Sequence, residues 1–307
     1  MNKTLGLMAS SLVLVLGTAG QAQAVQRFAG TPQNIGNGSL YVWGDLTDDL
    51  GQPLAIGVTF TASALDNLPT DNDPAPPGVW KGQLIDGSDN HSFEWELPFP
   101  QEVLSLTPFN HMGFNWNPHG HFPFQVYDTP HFDVHFYMIS PETRHAITGT
   151  EPDSTAAPPP GFLPPTFFGP PGASEPRMGQ HWVNLTAPEL QPPPNNQPFT
   201  QTWIYGVNHR NVIFWEPMVT KAFFTPGLNS TYSISLPDYY GTQGYYPTTY
   251  GMFHDPAANT YSVTLSNFVF RQATVVPEPN SAFSLLLLAA MGVGVRLLSK
   301  CLKTELF

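Results

Sequence analysis

Four of the ten histidines fall within 17 residues of one another, in Asn117-Pro-His119-Gly-His121 and Pro130-His131-Phe-Asp133-Val-His135-Phe-Tyr137. Two further polar strings follow, Gly179-Gln-His181-Trp182 and Trp215-Glu216-Pro217. Neutral imidazole and carboxylate are the usual ligands of zinc, manganese and iron. Spacing decides which can act together. On a strand, residues i and i+2 share a face about 6.6 Å apart, so His119/His121, His131/Asp133 and Asp133/His135 can each chelate. His131 and His135 would lie roughly 13 Å apart, too far for one ion unless a late strand start or a bulge shortens the step. The candidate ligands are His121, His131 or His135, Asp133, His181 and Glu216, the last two carried by separate strands. Two metal-free readings compete. Phe132, Val134, Phe136 and Met138 can enter a core while His131, Asp133 and His135 hydrogen-bond as a structural network. Alternatively the same groups serve as an acid/base pair without an ion.

These side chains need strands to converge, and period-two patterns recur. Ser39 to Trp43 alternates, and so does Leu54 to Ala62, with Ile56, Val58 and Phe60 on one face. The Asp48-to-Pro53 stretch between them is a turn signal, which predicts a hairpin. Ala64 to Pro69 predicts a short helical turn. Ser92 to Leu97 puts Phe93, Trp95 and Leu97 on one side and Glu94 and Glu96 on the other, the latter read as a solvated face. His131 to Ile139, Thr202 to Val207, Val212 to Thr220, Thr231 to Leu236 and Tyr261 to Phe270 complete the predicted strands. Pro152–Pro176 and Pro188–Pro198 read as ordered loops pinned by aromatics, and Tyr239–Tyr246 as a Gly/Tyr-rich loop. The fold class expected is all-β, a β-sandwich or partly closed antiparallel barrel with long Pro-rich loops. His91, His111, His145, His209 and His254 read as loop or turn residues without function.

Composition narrows the partners. Between residues 25 and 275, seven Lys/Arg face 21 Asp/Glu, a net charge of −14 with His neutral. That balance repels nucleic acid and anionic membrane. The single cysteine, Cys301, leaves the central region without a disulfide, so burial or a bound ion must stabilise it. The sequence has no G-x-S-x-G elbow, no Gly-rich phosphate loop and no H-E-x-x-H.

The ends carry addresses. Lys3, the apolar run Leu5–Gly17 and Ala22-Gln-Ala24 read as a secretory leader, residues 1–24, cleaved before Val25. At the other end, Val276-Pro277-Glu278-Pro279, an uncharged run to Val295, and Arg296 with Lys300 and Lys303 resemble the PEP-CTERM sorting tag. The apolar run is short for a bilayer unless Arg296 snorkels and Leu297 and Leu298 extend it, giving a transmembrane segment of about 281–298. The resemblance implies processing by exosortase at the inner membrane of a Gram-negative bacterium. Residues 25–275 would then form one extracytoplasmic domain, and 276–307 the tag with its basic tail.

The central region carries a second resemblance. Gly57-Val58 through Leu68-Pro69, Asn117-Pro118-x-Gly120-His121-x-Pro123, the Pro130–Tyr137 string, Met178-Gly179-x-His181-Trp182 and Glu216-Pro217-Met218 together resemble a family of uncharacterised exported bacterial proteins. A Thermus protein encoded with an extracytoplasmic sigma factor is one of its members. The resemblance implies an all-β domain whose polar motif residues converge, and no activity. His119 has no counterpart in it and reads as a surface residue.

The resulting expectation is an exported surface or biofilm-matrix protein. It would be a non-catalytic binding or structural domain with a divalent-metal His/Glu cluster (zinc, manganese or iron). Its partners would be exosortase and the inner membrane during sorting, and extracellular polysaccharide or envelope afterwards, with no nucleic acid. The alternative is a metal-dependent extracytoplasmic enzyme of hydrolase or lyase type, in which the same ligands leave a position for water.

Overall fold

The computed structural model describes residues 25–85 and 88–274. The leader with Ala22 and Ala24, the Val276–Pro279 motif, Arg296 and the expected transmembrane segment lie outside the described residues. Among the described residues no helix is long and apolar enough to cross a membrane.

In chain order the strands are β1 (Val25–Ala29), β2 (Gln33–Ile35), β3 (Gly38–Thr47), β4 (Pro53–Thr61), β5 (Trp80–Gln83), β6 (His91–Pro98), β7 (His111–Asn117), β8 (His131–Tyr137) and β9 (Phe167–Phe168). They continue as β10 (Ser174–Glu175), β11 (Gly179–Asn184), β12 (Gln201–Asn208), β13 (Asn211–Thr220), β14 (Asn229–Ser233), β15 (Gly244–Tyr246), β16 (Thr249–Asp255), β17 (Thr260–Ser266) and β18 (Val269–Arg271). Two short helices interrupt them, α1 (Gln101–Leu104) and α2 (Pro141–His145).

Seven strands form one antiparallel sheet in the order β1-β3-β4-β17-β16-β14, with β2 also on β3. Nine form the other, β10-β11-β12-β13-β8-β7-β6-β5, with β9 on β11. The architecture is a sandwich rather than a closed barrel. Its interior is one apolar cluster in which Leu40, Val42, Ile56, Val58 and Phe60 of the smaller sheet meet Phe93, Trp95, Phe114, Phe132, Val134 and Phe136 of the larger. Phe60 joins the sheets, its ring 5.7 Å from Phe114 and 6.2 Å from Phe132. The expected Asp48–Pro53 hairpin joins β3 to β4, and the short turn begins two residues early as a 3-10 helix at Ala62–Leu65.

The larger sheet is unusual in being buried on both faces. Segments between β7 and β8, and between β8 and β12, fold back over its outer side. Tyr127 and Phe199 pack there on Ile204 and Met218, while Ile147 and Met178 pack on Ile213, Phe214 and Tyr137. Every residue of β7 and β8 is consequently buried. The expectation that Glu94 and Glu96 line a solvated face is overturned. Glu94 is fully buried and ion-paired to Arg144 of α2, which also reaches Glu96 Oε2 at 2.7 Å. His111 is likewise no loop residue: it opens β7, fully buried, its ring stacked 4.9 Å from Tyr137.

Candidate metal centre

Alternation along β8 sorts its residues. Phe132, Val134 and Phe136 point into the sandwich, so His131, Asp133, His135 and Tyr137 point outward under the covering loops. Neighbouring strands add to that outer layer. On β7, Asn117, Asn115 and Gly113 stand opposite His131, Asp133 and His135. On β13, Met218 pairs with Asp133 and Trp215 with Phe136, a register that puts Glu216 across from His135. Pro217, lacking an N–H, interrupts the ladder beside it. His181 arrives from β11, opposite Gly206 of β12, and Gly206 in turn faces Phe214. A Cβ at Gly206 would run into the Phe214 ring. The missing side chain lets that ring lie beneath both His135 and His181, at 4.7 and 5.2 Å.

The six expected ligands converge, but on two centres rather than one. His121, His131 and Asp133 form one group, and His135, His181 and Glu216 the other, each with ligand atoms within 4.8 Å of one another. In the first, Asp133 Oδ2 lies 3.4 Å from His121 Nε2 and Oδ1 lies 3.1 Å from His131 Nε2. In the second, Glu216 Oε2 lies 3.7 Å from His135 Nε2 and 4.0 Å from His181 Nε2. Ligands 2.0–2.1 Å from a tetrahedral ion stand about 3.4 Å apart along an edge, so these separations suit an ion between them. His119 stays out, exposed and paired with Asp71 at 2.5 Å.

The hydrogen bonds on the far side of each ring carry the most information. His121 Nδ1 meets the Phe122 carbonyl at 2.8 Å and His131 Nδ1 the Thr129 carbonyl at 2.6 Å. His181 Nδ1 meets the Ala173 carbonyl at 3.0 Å, and His135 Nδ1 the Asn115 Oδ1 at 3.1 Å. Each partner can only accept, so each Nδ1 carries a proton and donates, which leaves every Nε2 aimed at a carboxylate, as a bare lone pair wherever the ring is neutral. His131 Nε2, His135 Nε2, Asp133 Oδ1 and both Glu216 oxygens are buried without any hydrogen-bond partner. Lone pairs facing lone pairs in a dry interior repel unless positive charge sits between them.

The electrostatics state the same demand. Burial, with the Asp133 charge added, pushes the Glu216 carboxyl well above the usual range. Burial holds His135 well below its ordinary value and lowers His181 to about 4. Burial would also depress His121, but the Asp133 charge and hydrogen bond, with the Phe122 carbonyl, lift it to about 9. Asp133 resists its own desolvation because His131 and His121 hold it well below the carboxylate range. Protons can therefore quiet the first group. They serve the second poorly, because a protonated Glu216 at 3.7 and 4.0 Å reaches neither ring at hydrogen-bond distance.

A cavity of about 30 Å³ touches both groups, lined by His121, Asp133 and His181 with Tyr127, Glu175 and Met178 among its walls. It has room for a water or two. The sequence reading missed the residues that orient the ligands. Asn117 Nδ2 donates to Asp133 Oδ2 at 2.7 Å, and Asn115 is itself held by Ser92 Oγ at 3.0 Å. Their i,i+2 spacing beside Trp116 was the available signal.

A family model described as "TTHB210-like: Hypothetical protein TTHB210" matches residues 48–116. The chain is similar to that uncharacterised family over β4 to β7, a stretch that includes Asn115 but ends before all six ligand residues. No curated protein and no solved structure matches the chain.

Proposed function

We propose that this chain is an exported surface or matrix protein, sorted through exosortase, whose β-sandwich holds divalent transition-metal ions at two adjacent positions. His121, His131 and Asp133 bind one ion, and His135, His181 and Glu216 the other. The observation that carries this reading is the second group: a sealed carboxylate with two unpartnered oxygens facing two imidazoles whose Nδ1 protons are already committed. Zinc, manganese and iron all accept such ligands, and the absence of sulfur donors removes any preference for softer ions. In a disulfide-free fold the ions would tie β8 to β11, β13 and the loop carrying His121. Elemental analysis of the full chain, purified without chelators, tests it. About two equivalents are expected, with about one lost in His131→Ala and a different one in His181→Ala. A wild-type chain with no bound metal ends the proposal.

A second reading, a metal-dependent enzyme, is favoured by one observation. Each group offers three protein ligands, the count found where a coordination position is left for water or substrate, and His121, Asp133 and His181 line the shared cavity. Cobalt substitution separates the two readings. An absorption spectrum that shifts with azide means an exchangeable position; an unresponsive spectrum leaves the structural role alone.

A further inference from the structure

A second cleft, of about 790 Å³, lies at the end of the larger sheet where β12 turns into β13. Its size falls in the range of sites that enclose small organic ligands. One wall is the Pro-rich loop through Phe162, another is the Tyr239–Thr242 loop, and the tip residues His209, Arg210 and Asn211 form the rim.

Three features make it a prepared surface. The first is an aromatic platform: Tyr239 is 48% exposed, with Phe162 beside it at 5.9 Å between ring centres. That platform is locked, because the Gly161 carbonyl accepts from both Asp238 N and Tyr239 N at 2.9 Å. Gly161 has φ +86°, and a Cβ there would strike the Tyr239 ring. The second is backbone strain. The two-residue tip holds His209 at φ 46° and Arg210 at φ 67°, left-handed positions that such a turn normally gives to Asn and Gly. Sequences that keep bulky side chains under that strain commonly do so for function. The third is an uncommitted cation. Among the described residues the Arg210 side chain makes no ion pair or hydrogen bond, and no Asp or Glu lines the cleft with it.

We propose that this cleft binds an uncharged saccharide. A pyranose presents flat C–H faces that pack on an aromatic ring and a rim of hydroxyls that accept N–H donors, which matches the exposed Tyr239 ring, with Phe162 tilted 51° beside it, and the free Arg210 guanidinium lining the same cleft. The net charge of −14 over residues 25–275 as a whole disfavours the approach of polyuronates and nucleic acid, and it leaves a neutral sugar unaffected. The site is independent of the metal centre.

The test is affinity electrophoresis of the full chain, in mild detergent, through native gels containing dextran, laminarin, galactomannan or hydroxyethyl cellulose. Retardation by at least one is expected. Tyr239→Ala and Arg210→Ala, both at exposed positions, should each weaken it at least tenfold while melting temperature and metal content stay unchanged. No retardation in any gel, retardation by alginate alone, or full retardation in both variants overturns the proposal. So does tyrosine fluorescence that responds to a synthetic peptide of residues 275–280 and to no saccharide, since the cleft would then seat the chain's own tail.

Discussion

His131 and His135 leave the same face of one strand, four residues apart, and belong to different groups. Asp133, midway between them, belongs to the first group and raises the carboxyl of Glu216 in the second through its charge. The strand thus spaces two positions instead of chelating one ion, and their loading should be coupled through the field of a single carboxylate.

Orientation of the ligands should matter nearly as much as their presence. Asn115 fixes the His135 ring through Nδ1, and loss of such a partner typically weakens a metal site 10–100-fold. Asn115→Ala is expected to raise the dissociation constant of the His135 position by about that factor and to spare the other. Competition with a chromophoric chelator measures both.

Glu216→Gln should separate fold from ion. In the metal-free protein burial and the Asp133 charge push the Glu216 carboxyl well above its usual range, which disfavours its charged form. A neutral amide of the same shape then costs little, within about 1 kcal/mol. With metal at about a hundred times its dissociation constant, the wild type gains about 2.7 kcal/mol that the variant lacks. Melting curves with and without chelator should therefore differ between the two proteins only when metal is present. A large difference in chelator would sink this account of Glu216.

Acid should unfold the protein partly through His111. Burial, with the positive field of Arg144, His145 and Arg177, lowers it to about 3. Its unfolded value is near 6.5, so between those limits the unfolded chain binds the extra proton. The stabilisation is complete above about pH 6.5 and is lost as pH falls toward 3, with a slope of up to about 1.4 kcal/mol per pH unit. His111→Gln should flatten urea-derived stability against pH across that window.

The Arg144 network should be fragile when halved. Arg144 and Glu94 are both fully buried, and Arg144→Ala leaves the carboxylate only the longer contact of its Oε1 with Arg177 Nη2, at 3.4 Å. Removing one member of such a pair costs about 3–5 kcal/mol. Arg144→Met combined with Glu94→Gln should recover most of it, as read by chemical denaturation.

Legibility in the sequence followed burial. β3, β4 and β6 showed clean alternation toward the sandwich interior, and β8 announced itself because its outward residues are His and Asp. β7, reading His-Met-Gly-Phe-Asn-Trp-Asn, went unseen: with both faces covered, apolar and polar positions lose their contrast. The Glu94/Glu96 face looked solvated for a related reason. Its cover, Arg144, arrives fifty residues later on a helix that no local pattern connects to β6. The six ligand residues could be picked by type, and the 13 Å step along β8 already argued against one ion holding both of its histidines. Sorting His121 and His181 to their groups needed the loop paths and the register of β11, which the sequence does not carry locally.

Three of the four imidazoles are steered by main-chain oxygens, those of Phe122, Thr129 and Ala173. Side chains at those three places are free to drift over evolutionary time without re-aiming a single ring. Insertions or deletions nearby are not. Among descendants of this chain, the lengths of the stretches around 118–130 and 170–180 should stay fixed where their lettering does not, and a gap there is a better sign of a lost site than any point change.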